Sequence, residues 1–181
     1  MIEKRVVTFF SKVNAFFVRD SVFKGHAFFN LQGYFMKKVT FCGHGDLYGV
    51  DNEIFRNSLY EEIEKQIKLG ATEFLLGGYG QFDSLCARTV KKLKEKYAHI
   101  KSVLVIPYLD RKYDYLDLYD CTEYPPIEKT PKRCAILKRN EYMVEKSEVI
   151  IAFVEHSWGG AAKTLEYAKR KKKTIIELKR I

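Results

Sequence analysis

The chain has 181 residues, 46% of them hydrophobic and 30% charged, and its 32 Lys and Arg against 23 Asp and Glu give a net charge of +9. One domain is the expectation at this length, and the composition excludes a disordered or collagen-like chain. No apolar run approaches the ~18 residues of a membrane-spanning helix, so no transmembrane segment is expected.

Residues 1–35 hold eight of the thirteen Phe, a sharp shift in composition that ends at Met36. Lys12 and Arg19 interrupt the apolar residues, which sets aside a signal peptide, whose core is an unbroken ~7–15 residues. Two readings stand. The segment is a Phe-rich extension outside a domain spanning 36–181, or it is an amphipathic membrane-surface helix with Val6, Phe9, Phe10, Val13, Phe16 and Phe17 on one side. In both it adds little to the core.

From Met36 on, strands, loops and helices alternate. A short strand over 39–42 ends in Gly43-His44-Gly45-Asp46. A helix over 52–69 follows, with Ile54, Phe55, Leu59, Ile63 and Ile67 at 3.6-residue spacing and Gly70 as its stop. The strand 74–76 runs into Gly77-Gly78-Tyr79-Gly80 and a helix over 83–97. The strand 103–106 stops at Pro107. Residues 107–130, rich in Tyr and Asp, carry no long element, and a loop of that length is usually functional. Pro131 starts a helix to 146, with Ile136, Leu137 and Met143 inward. The apolar strand 149–154, the link His156-Ser157-Trp158-Gly159-Gly160, a helix over 161–171 and a strand over 174–178 complete the chain. The fold class is α/β: a Rossmann-like three-layer sandwich with a mostly parallel sheet of five strands.

Ligands of such sheets bind beyond the carboxyl ends of the strands. Glycines there let backbone approach a ligand, and the next helix offers free N–H groups and a positive dipole end. Gly77, Gly78 and Gly80 fit this, with Asp83 an N-cap or an acceptor for a ribose hydroxyl. The loop matches neither the dinucleotide fingerprint nor the P-loop. In the second such loop Gly159, Gly160 and Ala161 offer backbone amides to a phosphate, with Lys163 and Thr164 as side-chain donors. Glu166 lies one turn on, and Arg139 is the natural phosphate clamp or charge partner.

The four cysteines are scattered singly, with no Cys-x-x-Cys and no His at zinc spacing, so no metal, cofactor or disulfide is expected. They point to a reducing cytoplasm. The basic run 169–173 closes a helix, where cations complement the dipole, and a solvated helix end is favoured over a nucleic-acid surface.

Together, residues 39–45, 77–87, 139–152 and 159–168 resemble the YpsA-like family of the SLOG superfamily, which also holds the Lonely Guy proteins and Smf/DprA. The resemblance spans 36–178 and rests on order and spacing: Gly43-His44 after the first strand, Gly77-Gly78 and Asp83 after the second, Arg139-Asn140 and Met143 before a strand, then Gly159-Gly160 and a helix. It implies a Rossmann-like domain binding a nucleotide-derived ligand across these loops, including Gly43, His44 and Gly45. Lonely Guy proteins use the Arg of Arg-Lys-x-x-Met and the Glu of Pro-Gly-Gly-x-Gly-Thr-x-x-Glu in a phosphoribohydrolase site. Arg139 and Met143 match the first segment, with Asn140 for Lys. Gly159, Gly160 and Glu166 match the second, with Ala162 for the third Gly, Lys163 for Thr and no Pro.

The leading expectation is a cytoplasmic sensor of an ADP-ribose or NAD type ligand. The alternative is a phosphoribohydrolase cleaving the N-glycosidic bond of nucleoside 5′-monophosphates, with catalytic Glu166 suited to stabilising an oxocarbenium-like ribose and activating water and Arg139 holding phosphate. A nucleic-acid binder ranks third, and a homo-oligomer is left open.

Overall fold

The computed structural model describes residues 36–50 and 52–180; the two readings of 1–35 lie outside the described residues. Successive side chains of a strand face opposite sides of its sheet, and here both sides are apolar. On β2 (Ala71–Leu76) Phe74 and Leu76 face one way and Leu75 the other; on β5 (Val149–Phe153) the same alternation separates Val149, Ile151 and Phe153 from Ile150 and Ala152. Strands buried on both faces need helices on both, which parallel crossovers supply.

The first face is covered by α1 (Glu53–Lys68) and α2 (Gly80–Lys96), through Phe55, Leu59, Ile63 and Ile67 of α1 and Phe82, Cys86, Val90 and Leu93 of α2. The second is covered by α3 (Lys132–Lys146) and α4 (Gly159–Arg170), through Met143, Val144, Leu165 and Ala168. The sheet is wholly parallel, and β1 (Lys37–Gly43) lies between β2 and β5. β3 (Lys101–Val105) and β4 (Cys121–Glu123) extend it beyond β2, and β6 (Thr174–Glu177) beyond β5.

The sheet therefore has six strands, not the five expected from sequence. β4 escapes pattern reading because it has only three residues, none fully buried, between a Tyr- and Asp-rich loop and Pro125-Pro126. Tertiary contacts define it instead. The Asp120 carboxylate accepts from the Ser102 backbone N–H (2.9 Å) and hydroxyl (3.1 Å), which anchors the strand beside β3.

Two of the four helices begin earlier than their sequence signals: α2 starts at Gly80 rather than 83, and α4 at Gly159 rather than 161, while α1 and α3 start one residue later, at Glu53 and Lys132. Glycines expected in loops thus form first turns. α1 is capped by Asn52, whose side chain accepts from the Phe55 N–H at 2.9 Å. Ile54 stays exposed, one residue off the Phe55–Leu59–Ile63–Ile67 stripe. Likewise Ile136 of α3 is exposed, and the inward positions include Ala135 and Arg139.

Glu64 ties α1 to α2, accepting from Lys68 and Lys96 at 2.7 Å and from the Tyr97 hydroxyl at 3.0 Å. These bonds, Lys68 first and then Lys96, hold its carboxyl down to about 2 from an ordinary 4.5. A carboxyl depressed in the folded state stabilises it above the unfolded value and loses that contribution as pH falls. Unfolding between pH 4.5 and 2 is therefore expected to be less pH-dependent in Glu64→Gln than in the unsubstituted chain. An unaltered acid slope, read by urea denaturation across that range, contradicts this.

Candidate functional site

The chain leaves β1 toward β2 and leaves β5 toward β6, so the loops after these adjacent strands diverge. Open parallel sheets take ligands at such a switch point. A cleft of about 430 Å³ lies there, lined by Gly43, His44 and Gly45 after β1, by Tyr79 and Gly80 before and in α2, and by the Trp158–Ala161 start of α4, with Asp83, Arg139, Asn140 and Met143 among the remaining residues.

The three glycine-bearing loops do different things. Gly80 has φ +86°, and a Cβ there would lie 2.5 Å from Gly45 Cα; the Gln81 N–H also donates to the Gly45 carbonyl at 2.8 Å. The start of α2 is thus a packing joint against the β1–α1 loop. Gly43, Gly77 and Gly78 are packing positions too: a Cβ would run into the Phe82 ring, the Arg139–Asp83 pair and Leu104 respectively. Gly45, Gly159 and Gly160 have open space where a Cβ would stand. No side chain caps α4, whose N-cap is Trp158. Its first turn therefore presents an open helix N-terminus to the cleft, where N–H groups and dipole favour an anion.

Arg139 is 1% exposed. Its Nη1 donates to the Val105 carbonyl at 2.9 Å and to the Gly77 carbonyl, joining the ends of β3 and β2 beneath the cleft. Its Nε is buried without a hydrogen-bond partner among the described residues. Asp83 is its main opposite charge: burial pushes the Asp83 carboxyl up and the Arg139 guanidinium down, and each charge restrains the other's shift. The Asp83 carboxylate also accepts from the Tyr79 N–H at 3.0 Å. Asp83 is thus not the N-cap of α2, which is Tyr79. It lies a turn into the helix, with its carboxylate bonded to the Tyr79 N–H and acting on Arg139 through its charge.

His44 links the loops after β1 and β5. Its Nε2 accepts from the N–H groups of Glu155 (2.7 Å) and His156 (3.2 Å). That role requires an unprotonated Nε2, so the ring is neutral with its proton on Nδ1. Burial, and next the neighbouring His156, lower its pKa in the same sense. Cys42 donates from Sγ to the Ala161 carbonyl at 3.1 Å, and burial pushes its thiol up to about 12, so it is no thiolate nucleophile.

Thr164 lines the cleft, but its hydroxyl donates to the Gly160 carbonyl at 2.8 Å and accepts from Asn140 at 3.1 Å. Lys163 and Glu166 are exposed on α4 and absent from the cleft lining. Glu166 is two residues past Thr164, and two helical steps turn a side chain by ~200°. The structure therefore does not bring Glu166 together with Arg139.

Two contributors were missed in the sequence reading. Tyr79 is packed against both Arg139 and Arg111, the guanidinium carbons 5.3 and 5.1 Å from its ring centre. Trp158, the sole tryptophan, is 71% exposed and stacks on His156 with planes 8° apart and centroids at 5.2 Å. Its signal was available: a lone aromatic immediately before Gly159-Gly160. Among the described residues no group of three or more His, Cys, Asp or Glu is placed to hold a metal ion, and no helix is long and apolar enough to cross a membrane.

No protein-family model matches the chain. It is 30% identical over 139 residues to the uncharacterised SPbeta prophage-derived protein YoqJ of Bacillus subtilis (strain 168), covering 64% of this chain and 80% of YoqJ. It is 25% identical over 155 residues to a UPF0398 protein of Halalkalibacterium halodurans, covering 75% of this chain and 82% of that one. Among solved structures it resembles DNA processing protein A of Helicobacter pylori, described for its single-stranded DNA binding mode, with a TM-score of 0.56 and 18% identity over 81% of this chain and 66% of that one. With the order of its loop motifs, its wholly parallel sheet and this likeness to YoqJ, the chain belongs to the YpsA-like family of the SLOG superfamily.

Proposed function

We propose that this protein is a cytoplasmic binding or sensor domain for a nucleotide-derived ligand of the ADP-ribose or NAD type. One observation carries the reading: an uncapped helix N-terminus with open space at Gly159 and Gly160 faces the cleft at the switch point of the sheet. A pyrophosphate on the amides of Gly159, Gly160 and Ala161 would meet the positive end of α4, above the buried charge of Arg139, whose Nε has no partner among the described residues. Placement in the cytoplasm is supported by the four free cysteines. The separation of Glu166 from Arg139 favours binding over phosphoribohydrolysis.

The test is thermal unfolding of the full chain with ADP-ribose, NAD, inorganic pyrophosphate and AMP. A ligand at ~100 times its dissociation constant adds about 2.7 kcal/mol. A shift is expected with ADP-ribose or NAD, with no product formed, and it should vanish in Gly160→Asp, whose carboxylate would occupy the phosphate position. That variant has room for its side chain, and an acid in the first turn suits the dipole, so its unliganded midpoint should stay near that of the unsubstituted chain. No shift with any of the four compounds overturns the reading, and release of adenine from AMP replaces it with hydrolysis.

A second reading, single-stranded nucleic acid, is favoured by the exposed Trp158–His156 stack and by the likeness to DNA processing protein A, although the sequence alone ranked it low. In the same series, binding of an oligonucleotide that weakens steeply with salt would promote it.

A further inference from the structure

Beside the cleft lies a second cavity of about 250 Å³, between the start of α2 and the long loop after β3. Tyr79 and Gly80 line both, so the two spaces share a wall. The sequence offers many tyrosines in this region without ranking them, and the structure sorts them. Tyr113, Tyr115 and Tyr119 join Tyr79 around the second cavity, whereas Tyr108 and Tyr124 line a different crevice.

The lining is specific in chemistry. Leu104 and Leu118 form apolar patches, and Arg111, Lys112 and Asp114 add charged groups around the rings. Arg111 lies over the Tyr79 ring, and its Nη1 donates to the Tyr79 hydroxyl at 2.7 Å. Tyr113 is fixed from its far end: its hydroxyl donates to the Tyr108 carbonyl (2.8 Å) and accepts from the Tyr108 N–H (3.2 Å). Its ring position is thus set before any ligand arrives. A cavity lined by four tyrosines and an arginine suits a flat ring system, because phenol rings and guanidinium planes both stack on π-faces. It is small for a whole dinucleotide, while the two spaces together fall within the ~300–1,000 Å³ of ligand sites.

We infer that this tyrosine-walled cavity receives the heteroaromatic base of the ligand whose phosphates lie at the start of α4, with Tyr79 as the partition between the two halves. The inference deepens the function proposed above and rests on it for the phosphate half alone. Base and phosphate are then read by separate walls, and a compound carrying either one engages only its own half.

The experiment uses the full chain and two separate probes: adenosine, which has the base and no phosphate, and inorganic pyrophosphate, which has the reverse. Adenosine at millimolar concentration should shift the Leu104 and Leu118 methyl resonances saturably, and pyrophosphate should leave them in place. Arg111→Ala, at an exposed position that leaves the fold intact, should weaken adenosine at least about fivefold. Ser84→Trp, filling the cavity from α2, should abolish it. Neither variant should alter the pyrophosphate thermal shift. Methyl resonances unmoved by adenosine, or adenosine affinity unchanged in both variants, overturn the base site and leave the phosphate site standing. Adenosine binding as described, with no stabilisation by pyrophosphate, instead removes the phosphate reading and retains the base site.

Discussion

Arg139→Met is expected to lower the stability of the fold by about 3–5 kcal/mol, the cost of removing one member of a buried charge pair. Methionine preserves the length and much of the packing of the side chain. The loss therefore reports the bonds to the Gly77 and Val105 carbonyls and the burial of the Asp83 charge without a cation. The pH dependence supplies a signature. Burial already raises the Asp83 pKa above its ordinary 3.8, and removing Arg139 raises it further. A carboxyl whose folded pKa lies above its unfolded one costs nothing below the unfolded value and destabilises increasingly as pH rises through the folded value. Urea unfolding should thus show a smaller deficit at pH 4 than at pH 7, and adding Asp83→Asn should recover part of the loss at pH 7. A deficit equal at both pH values would mean that packing, not charge, is what Arg139 supplies.

Gly80→Ala is the second large effect, about 3 kcal/mol. It combines a non-glycine residue at φ +86°, of order 1–3 kcal/mol, with a methyl driven 2.5 Å from Gly45 Cα, where overpacking adds a similar amount. Backbone stands opposite, so no rotamer change relieves the contact. Gly160→Ala is the control: it has open space and, at a surface position of this kind, should change stability by no more than ~0.5 kcal/mol. Thermal or urea unfolding of the pair reads the difference directly. Equal midpoints would mean that the approach of α2 to the β1–α1 loop relaxes freely.

That pair of glycines also marks the limit of what the sequence discloses. The layered α/β architecture was legible because Phe55, Leu59, Ile63 and Ile67 repeat at helical spacing and the residues of β5 form an unbroken apolar run. The position of the cleft followed from the order of the loops. Which glycine serves packing and which leaves space was not legible, since that depends on partners remote in sequence: Gly45 against Gly80, Phe82 against Gly43, Leu104 against Gly78. Arg139 shows the same limit from the other side. Its charge marks it for the surface or for a phosphate, yet the strand ends it joins are 62 and 34 residues away and draw it into the interior. β4 was hidden because its pairing partner, not its own pattern, makes it a strand. The tyrosine cavity draws on residues from 78 to 119, which no local window brings together.

The place of β1 in the middle of the sheet has a consequence for how the molecule is assembled in time. Its pairing with β2 spans a short stretch of chain, while its other edge needs β5, where Val39 stands opposite Val149. A contact so distant along the chain carries a large loop-closure cost. Until it closes, β1 presents an open, apolar edge, and neither wall of the cleft contributed by α3 and α4 is in place. The cleft is therefore incomplete until β5 has paired with β1. A compound that binds the cleft stabilises only the state in which both edges of β1 are paired, and so lowers the population in which that edge is open to another chain.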